Sequence, residues 1–340
     1  MNKTGTMRNI FPILLLLILP GIMLSKEKGI KGKISLNEER TEYTGLIPDS
    51  RVVVNAPAAD FINFRKPVRL ILFALPNGNS IENTEGRLLL SKTDDWHFDI
   101  QHIAAQVRFL RENDKRFNYI VAYLESSQKA WTAHASKYKD SPLMYSHLVD
   151  TVKAIVLDKY FKNKPPVRLN VVLASHSGGG RFVFNYLLGV SEIPEFVERL
   201  CFIDSYYGYE EPFAGKFMKW LNSGKDKMLG VISYVDTTVI YNGKPIVSKT
   251  GGTGYRSELM YRNMKEAGVK FKDRADTSFV RHTAFDGRLR IIIKENPAGK
   301  IYHTILVEKN GLIHQLLFNS KLEERGYKFW GERCYSNLIK

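Results

Sequence analysis

Val167-Arg-Leu-Asn-Val-Val-Leu-Ala-Ser-His-Ser177-Gly-Gly-Gly-Arg-Phe-Val-Phe-Asn-Tyr186 is the stretch whose reading decides the fold. A β-branched, apolar run stops at Ser-His-Ser-Gly-Gly-Gly, and an apolar pattern of helical spacing follows at once. A strand that turns this sharply into a helix lifts one side chain clear of the sheet, in the geometry of a nucleophile elbow. The crowded turn demands small residues two before and two after that side chain. Ser175 and Gly179 occupy those places, and Gly178 and Gly180 add slack. Ser177 is therefore the candidate nucleophile, at a helix N-terminus that favours developing negative charge. Ser175 stands where the usual G-x-S-x-G pattern has its first glycine. A phosphate-binding loop would need Lys-Ser/Thr after the last glycine, whereas Gly180 leads into Arg181-Phe182. A glycine-rich turn without chemistry is the remaining reading of the motif alone.

Outward from this stretch, strands and helices alternate. Upstream, Arg51-Val-Val-Val-Asn-Ala-Pro57, Pro67–Pro76 and Phe117–Leu124 read as strands, with helices over Asp99–Arg111 and Leu143–Phe161. Downstream, Arg199–Asp204 and Met228–Asp236 read as strands around a helix over Pro212–Leu221. Val239–Val247 reads as a hairpin turning at Asn242-Gly243, and Ser257–Ala267 as a helix. Leu289–Ile293 and Ile301–Val307 are apolar, strand-like runs on either side of Pro297-Ala-Gly299. Alternation of this kind predicts an α/β fold, a mostly parallel sheet covered by helices on both faces. Gly29–Tyr43 is charged and reads as loop.

The chain has 340 residues, 44% of them hydrophobic, enough for a sizeable core. Residues 1–25 stand apart. Lys3 and Arg8 precede the apolar run Ile10–Leu19, and Pro20-Gly21 breaks it. That order reads as an export signal, too short for a bilayer span of roughly 20 apolar residues. An uncleaved anchor is the alternative, and the expected location is periplasmic or extracellular. Residues 26–50 form a basic segment before a domain expected over 51–340. Of the two cysteines, Cys201 lies in an apolar run and reads as a small buried hydrophobe. The formal charge is +15, but the basic residues are scattered, with no basic helical face interleaved with aromatics. Nucleic acid is therefore not an expected partner.

The strand–helix order around the Ser177 elbow resembles the α/β-hydrolase superfamily over roughly residues 50–325. The resemblance implies an acid after a later strand and a histidine after the last strand, which together activate the serine. Asp236 and Asp204 each end a strand beyond the elbow, and the family's habit favours Asp236. His314 follows the last apolar run, where the family's histidine sits. His303 lies within the strand pattern, and His282 lies between elements. The resemblance further implies an oxyanion hole from the Gly178 amide and the loop after the long buried strand, through Asn77, Gly78 or Asn79. His176 would shape the pocket, and Trp131, Tyr206 and Tyr207 could stack on a substrate. The surplus segment 243–288 is expected to pack as a small cap. No cofactor or metal is implied, since His97 and His102 lack ligand-type i, i+4 spacing. The expected activity is that of an exported serine hydrolase acting on a small-molecule, glycan or envelope-derived ester or amide. A non-catalytic, possibly carbohydrate-binding protein of the cell envelope on the same fold is the rival.

Overall fold

In Val68–Ala74 every residue is buried, and successive side chains serve two different cores. Leu70 and Leu72 pack into one cluster, Ile71 and Phe73 into the other. The alternation follows from the two-residue side-chain period of a strand and requires apolar layers on both faces of the sheet. The structure, a computed structural model, describes residues 37–340. The expected export signal over 1–25 lies outside the described residues.

The chain begins with β1 (Glu38–Thr44), β2 (Ser50–Pro57) and β3 (Val68–Ala74), followed by α1 (Ile81–Glu85), α2 (Ile103–Asn113) and β4 (Asn118–Ser126). Next come α3 (Trp131–Lys137) and α4 (Ser141–Phe161), which starts on Pro142, where a missing N–H costs nothing. The central unit is β5 (Leu169–His176), α5 (Gly180–Gly189), β6 (Val197–Ile203), α6 (Pro212–Ser223) and β7 (Met228–Tyr234). The short hairpin β8 (Ile240–Tyr241) and β9 (Lys244–Pro245) leads to α7 (Thr253–Glu266). Then follow β10 (Lys272–Ala275), β11 (Phe279–Ala284), β12 (Leu289–Lys294), α8 (His303–Glu308) and α9 (Gly311–Leu317).

Ten strands form one sheet in the order β1-β2-β4-β3-β5-β6-β7-β12-β11-β10. The run from β4 to β12 is parallel throughout. β1, β2, β10 and β11 are antiparallel additions at the two edges. Side chains of α3 to α7 fill one face, and those of α1, α2, α8 and α9 fill the other. This is the α/β-hydrolase fold that the elbow predicts. Both cysteines are free, with Cys201 fully buried. Among the described residues no helix is long and apolar enough to cross a membrane.

The structure departs from the sequence reading in three places. Glu38–Thr44, read as loop within a basic segment, is strand β1, so the domain begins before residue 51. Within 243–288, expected as a cap, β10 and β11 extend the central sheet and α7 packs beneath it against α6 and β7; the β8–β9 hairpin alone forms a separate sheet. Ile301–Val307, read as strand, is mostly α8, because a short apolar run carries no decisive period.

The strand ends are closely packed at the elbow. A Cβ on Gly179 would run into the Ala74 carbonyl oxygen, and one on Gly180 into the Ser205 carbonyl oxygen. Both obstacles are backbone and cannot swing aside. Gly215, in the exposed middle of α6, has nothing within 4 Å of such a Cβ. Gly180→Ala should therefore cost roughly 3 kcal/mol or more of folding stability. Gly215→Ala should gain about 0.5–1 kcal/mol. Urea denaturation of both variants checks the pair, and equal effects would contradict this packing.

Candidate active site

β5 delivers Ser177 to the C-terminal edge of the sheet, where the backbone reverses into α5. Ser177 adopts φ 54°, a left-handed conformation that a serine avoids unless its surroundings impose it. Ser175, in place of the expected glycine, fits because its hydroxyl finds a partner: its Oγ lies 2.8 Å from Ser205 Oγ at the end of the neighbouring strand.

β6 runs parallel to β5, with His176 opposite Ile203, so Asp204 emerges beside Ser177. Asp204 is fully buried and also left-handed, at φ 44°. Its amide donates to the Ile232 carbonyl at 2.7 Å, which fixes the carboxylate. One carboxylate oxygen, Oδ2, accepts a hydrogen bond from His303 Nδ1, and the other, Oδ1, accepts one from the Thr253 hydroxyl. With Nδ1 donating, a neutral His303 carries its lone pair on Nε2, away from the acid.

His303 opens α8 and stands against the elbow, its ring centroid 4.8 Å from that of His176. His176 Nε2 lies 3.1 Å from the His303 carbonyl oxygen and Nδ1 lies 3.2 Å from Gln101 Oε1, so a neutral ring donates to one of these two acceptors at a time. Burial, then the nearby His303, drives the His176 imidazole well below its usual range, so the ring is neutral. Gln101 also donates to Asn79 Oδ1 at 3.1 Å and to the Thr84 hydroxyl at 3.3 Å. One amide side chain thus ties the loop after β3 to the histidine beneath His303. His176 is therefore a buried support beneath His303, 2% exposed.

The loop after β3 sits where the sequence reading puts an oxyanion hole, but its members differ in availability. The Gly78 amide is taken by the Lys129 carbonyl at 2.7 Å. Asn79 is buried, with its side chain bonded to Gln101 and to the Asn77 carbonyl. The exposed Asn77 side chain lies directly against Gly178, where a Cβ would collide with it.

Two sequence assignments require correction. His314 lies on α9, almost fully buried and away from the elbow, stacked on Phe329 at 4.7 Å with Nδ1 3.3 Å from the Tyr327 hydroxyl. Its Nε2 has no partner; burial, then the charges of Arg290 and Arg281, push its imidazole down to about 3. Asp236 bonds the start of α7 rather than a histidine: its Oδ2 accepts the Thr253 amide at 2.8 Å. Of the aromatic candidates, Trp131 and Tyr206 are core residues, exposed by 1% and 0%. Tyr207 alone of the three reaches solvent, at 37%. Gln101 and Thr253 escaped the sequence reading altogether, since nothing in a lone glutamine or a helix-start threonine marks a site. Among the described residues no group of three or more His, Cys, Asp or Glu side chains could hold a metal ion.

No protein-family model and no curated protein matches this chain. Solved structures do resemble it, at low identity. A siderophore hydrolase from Aspergillus nidulans is 12% identical over 88% of this chain and 98% of its own, with a TM-score of 0.44. The feruloyl esterase module from Clostridium thermocellum, complexed with sinapinate, is 13% identical over 86% and 90%, with a TM-score of 0.48. A putative acetyl xylan esterase from Bacteroides fragilis is 16% identical over 49% of this chain, which spans only 44% of that one, with a TM-score of 0.32.

His314 makes the protein acid-sensitive. The unfolded imidazole titrates near 6.5 and the folded one far lower, so the unfolded state binds more protons between those values. The stabilisation is fully present above the unfolded value and is lost as pH falls toward the folded one. Between pH 7 and 5 the loss amounts to roughly 2 kcal/mol. His314→Phe, which keeps a ring against Phe329, should flatten the fall in melting temperature over that interval. Thermal melts at pH 5 and 7 check this, and an unchanged slope would contradict it.

Proposed function

We propose that this chain is a serine hydrolase that cleaves an ester or amide through an acyl-enzyme, with Ser177 as nucleophile, His303 as base and Asp204 as acid. The hydrogen bond from His303 Nδ1 to Asp204 Oδ2, beside a strained serine at the end of β5, carries the reading. A serine hydroxyl is a weak nucleophile until an oriented imidazole takes its proton.

In the first half-reaction Ser177 Oγ attacks the substrate carbonyl carbon while its proton passes to His303 Nε2. Asp204 stays ionised and balances the imidazolium. The negative charge on the former carbonyl oxygen is met by the Gly178 amide at the start of α5 and by Asn77, the member of the loop after β3 whose side chain is not bonded elsewhere in that loop. Collapse of the tetrahedral adduct expels the alcohol or amine, which takes the proton from His303. Water then repeats the sequence on the acyl-enzyme, releases the acid and restores Ser177.

Tyr207, half exposed beyond Asp204, is the aromatic side chain we assign to substrate contact. The apolar run over 10–19 after Lys3 and Arg8 supports an exported enzyme, and a glycan- or envelope-derived ester fits that setting. A fluorophosphonate separates this reading from a binding protein on the same fold, since only an activated serine reacts.

Wild-type protein should label at Ser177 and hydrolyse p-nitrophenyl acetate, and Ser177→Ala should do neither while melting at nearly the same temperature. His303→Ala should lose several orders of magnitude in rate, up to about 10⁶. Asp204→Asn should lose about 10⁴, because it sets the wrong tautomer. Full labelling of Asp204→Asn together with loss in Asp236→Asn would move the acid and overturn this assignment.

A further inference from the structure

The proposed triad leaves one buried carboxylate without a task. Asp236 is 1% exposed, and its Oδ1 has no hydrogen-bond partner among the described residues. Its Oδ2 accepts the Thr253 amide at 2.8 Å, at the N-terminus of α7. Thr253 is also the second partner of Asp204: its hydroxyl donates to Asp204 Oδ1 and lies 3.5 Å from Asp236 Oδ2. One residue therefore holds both carboxylates, by its hydroxyl on one side and its backbone on the other. The arrangement needs Gly252, where a Cβ would run into the Asp236 carboxylate.

On the reading given above, we propose that Asp236 is a positioning residue of the same site, acting through Thr253 and Asp204, and that its charge state sets how readily His303 gives up its proton. The hydroxyl of Thr253 has one hydrogen and two carboxylates within reach. Donating it to Asp204 fixes the acid in the orientation that His303 requires. The backbone amide of the same residue anchors Asp236, so a change in the charge of Asp236 is felt at Asp204 through a single residue.

The groups that face Asp236 are Asp204 beyond β6, the amides of Thr253 and Gly254 from α7, and the phenols of Tyr207 and Tyr234. Burial, then the Asp204 charge, pushes the Asp236 carboxyl up to about 6, and the amides of Thr253, Asp236 itself and Gly254 oppose that rise. Burial and the two carboxylates drive both phenols upward, so they stay protonated. Asp236 is therefore neutral in mild acid and ionised near neutrality. When ionised it places a second negative charge behind Asp204, which stabilises the imidazolium and delays the release of its proton. Asp236, Asp204 and His303 are linked through Thr253, so the acidic limb of activity belongs to the set rather than to one residue.

The test is the rate of fluorophosphonate labelling of the full chain as a function of pH. Asp236→Asn keeps an oxygen for the Thr253 amide and removes the charge. Its acidic limb should move down by roughly 0.5–1 pH unit and narrow toward the form of a single proton. Thr253→Val, which keeps the amide and deletes the hydroxyl, should label about 10-fold more slowly on the plateau. Thr253→Ser should restore the rate. If Asp236→Asn fails to fold, Asp236→Ser retains a capping oxygen without charge and should show the same shift. A pH profile of the folded variant that superimposes on wild type would overturn the inference and leave Asp236 as a cap on α7. Wild-type protein that does not label would overturn the hydrolase reading itself, so the two failures are distinguishable.

Discussion

The turn at Ser177 holds a serine at φ 54°, a conformation that costs on the order of 1–3 kcal/mol, and the surrounding strands leave it no alternative. β5 is buried on both faces and hydrogen-bonded on both sides, to β3 and β6, so its last residue cannot slide. α5 must begin within three residues, over backbone oxygens of Ala74 and Ser205 that admit only glycine. The strain is met by the packing of the whole sheet. Because the same two strands, β3 and β6, carry Asn77 and Asp204 at their ends, whatever holds the elbow also sets the spacing of the side chains around it.

Charge at this edge of the sheet is arranged by burial more than by ion pairs. Asp204 and Asp236 are both almost inaccessible, and their partners are a histidine, a threonine and backbone amides. Arg69 and Glu198 form a buried pair near the beginnings of β3 and β6, at the other end of the sheet. A buried pair of that kind contributes little net stability, but deleting either partner leaves an uncompensated charge. Among the described residues Asp204 and Asp236 bond no lysine or arginine, and burial with the Asp204 charge raises the Asp236 carboxyl so that it takes up its proton in mild acid.

Most of this architecture was legible in the sequence, for a physical reason. Strands buried on both faces, such as Val68–Ala74 and Leu169–His176, read as largely apolar runs around Leu70–Ala74 and Val171–Ala174, and the glycines after Ser177 mark the turn. The edge strands were not legible. β1 and β10 are mainly charged residues, held to their neighbours by backbone pairing and by ion pairs such as Arg51–Glu42 and His282–Asp273, and neither bond leaves an apolar signature. The histidine that bonds Asp204 was missed by one step of the same logic. The expectation put a histidine after the last strand; that strand is Leu289–Lys294, and the apolar run that follows is α8, begun by His303, the histidine bonded to Asp204. The acid was a choice between two strand-end aspartates, and spacing cannot tell which of them a helix start will claim.

Those charged edges have a consequence of their own. Among the described residues β1 and β10 are the two outer strands of the ten-stranded sheet. β10 is Lys272-Asp273-Arg274-Ala275, exposed along its whole length, and β1 carries Glu38, Glu39, Arg40 and Glu42. A strand arriving from a second copy would have to strip water from these charges before gaining a single backbone bond. The pairing that builds the sheet inside the molecule is thus discouraged between molecules.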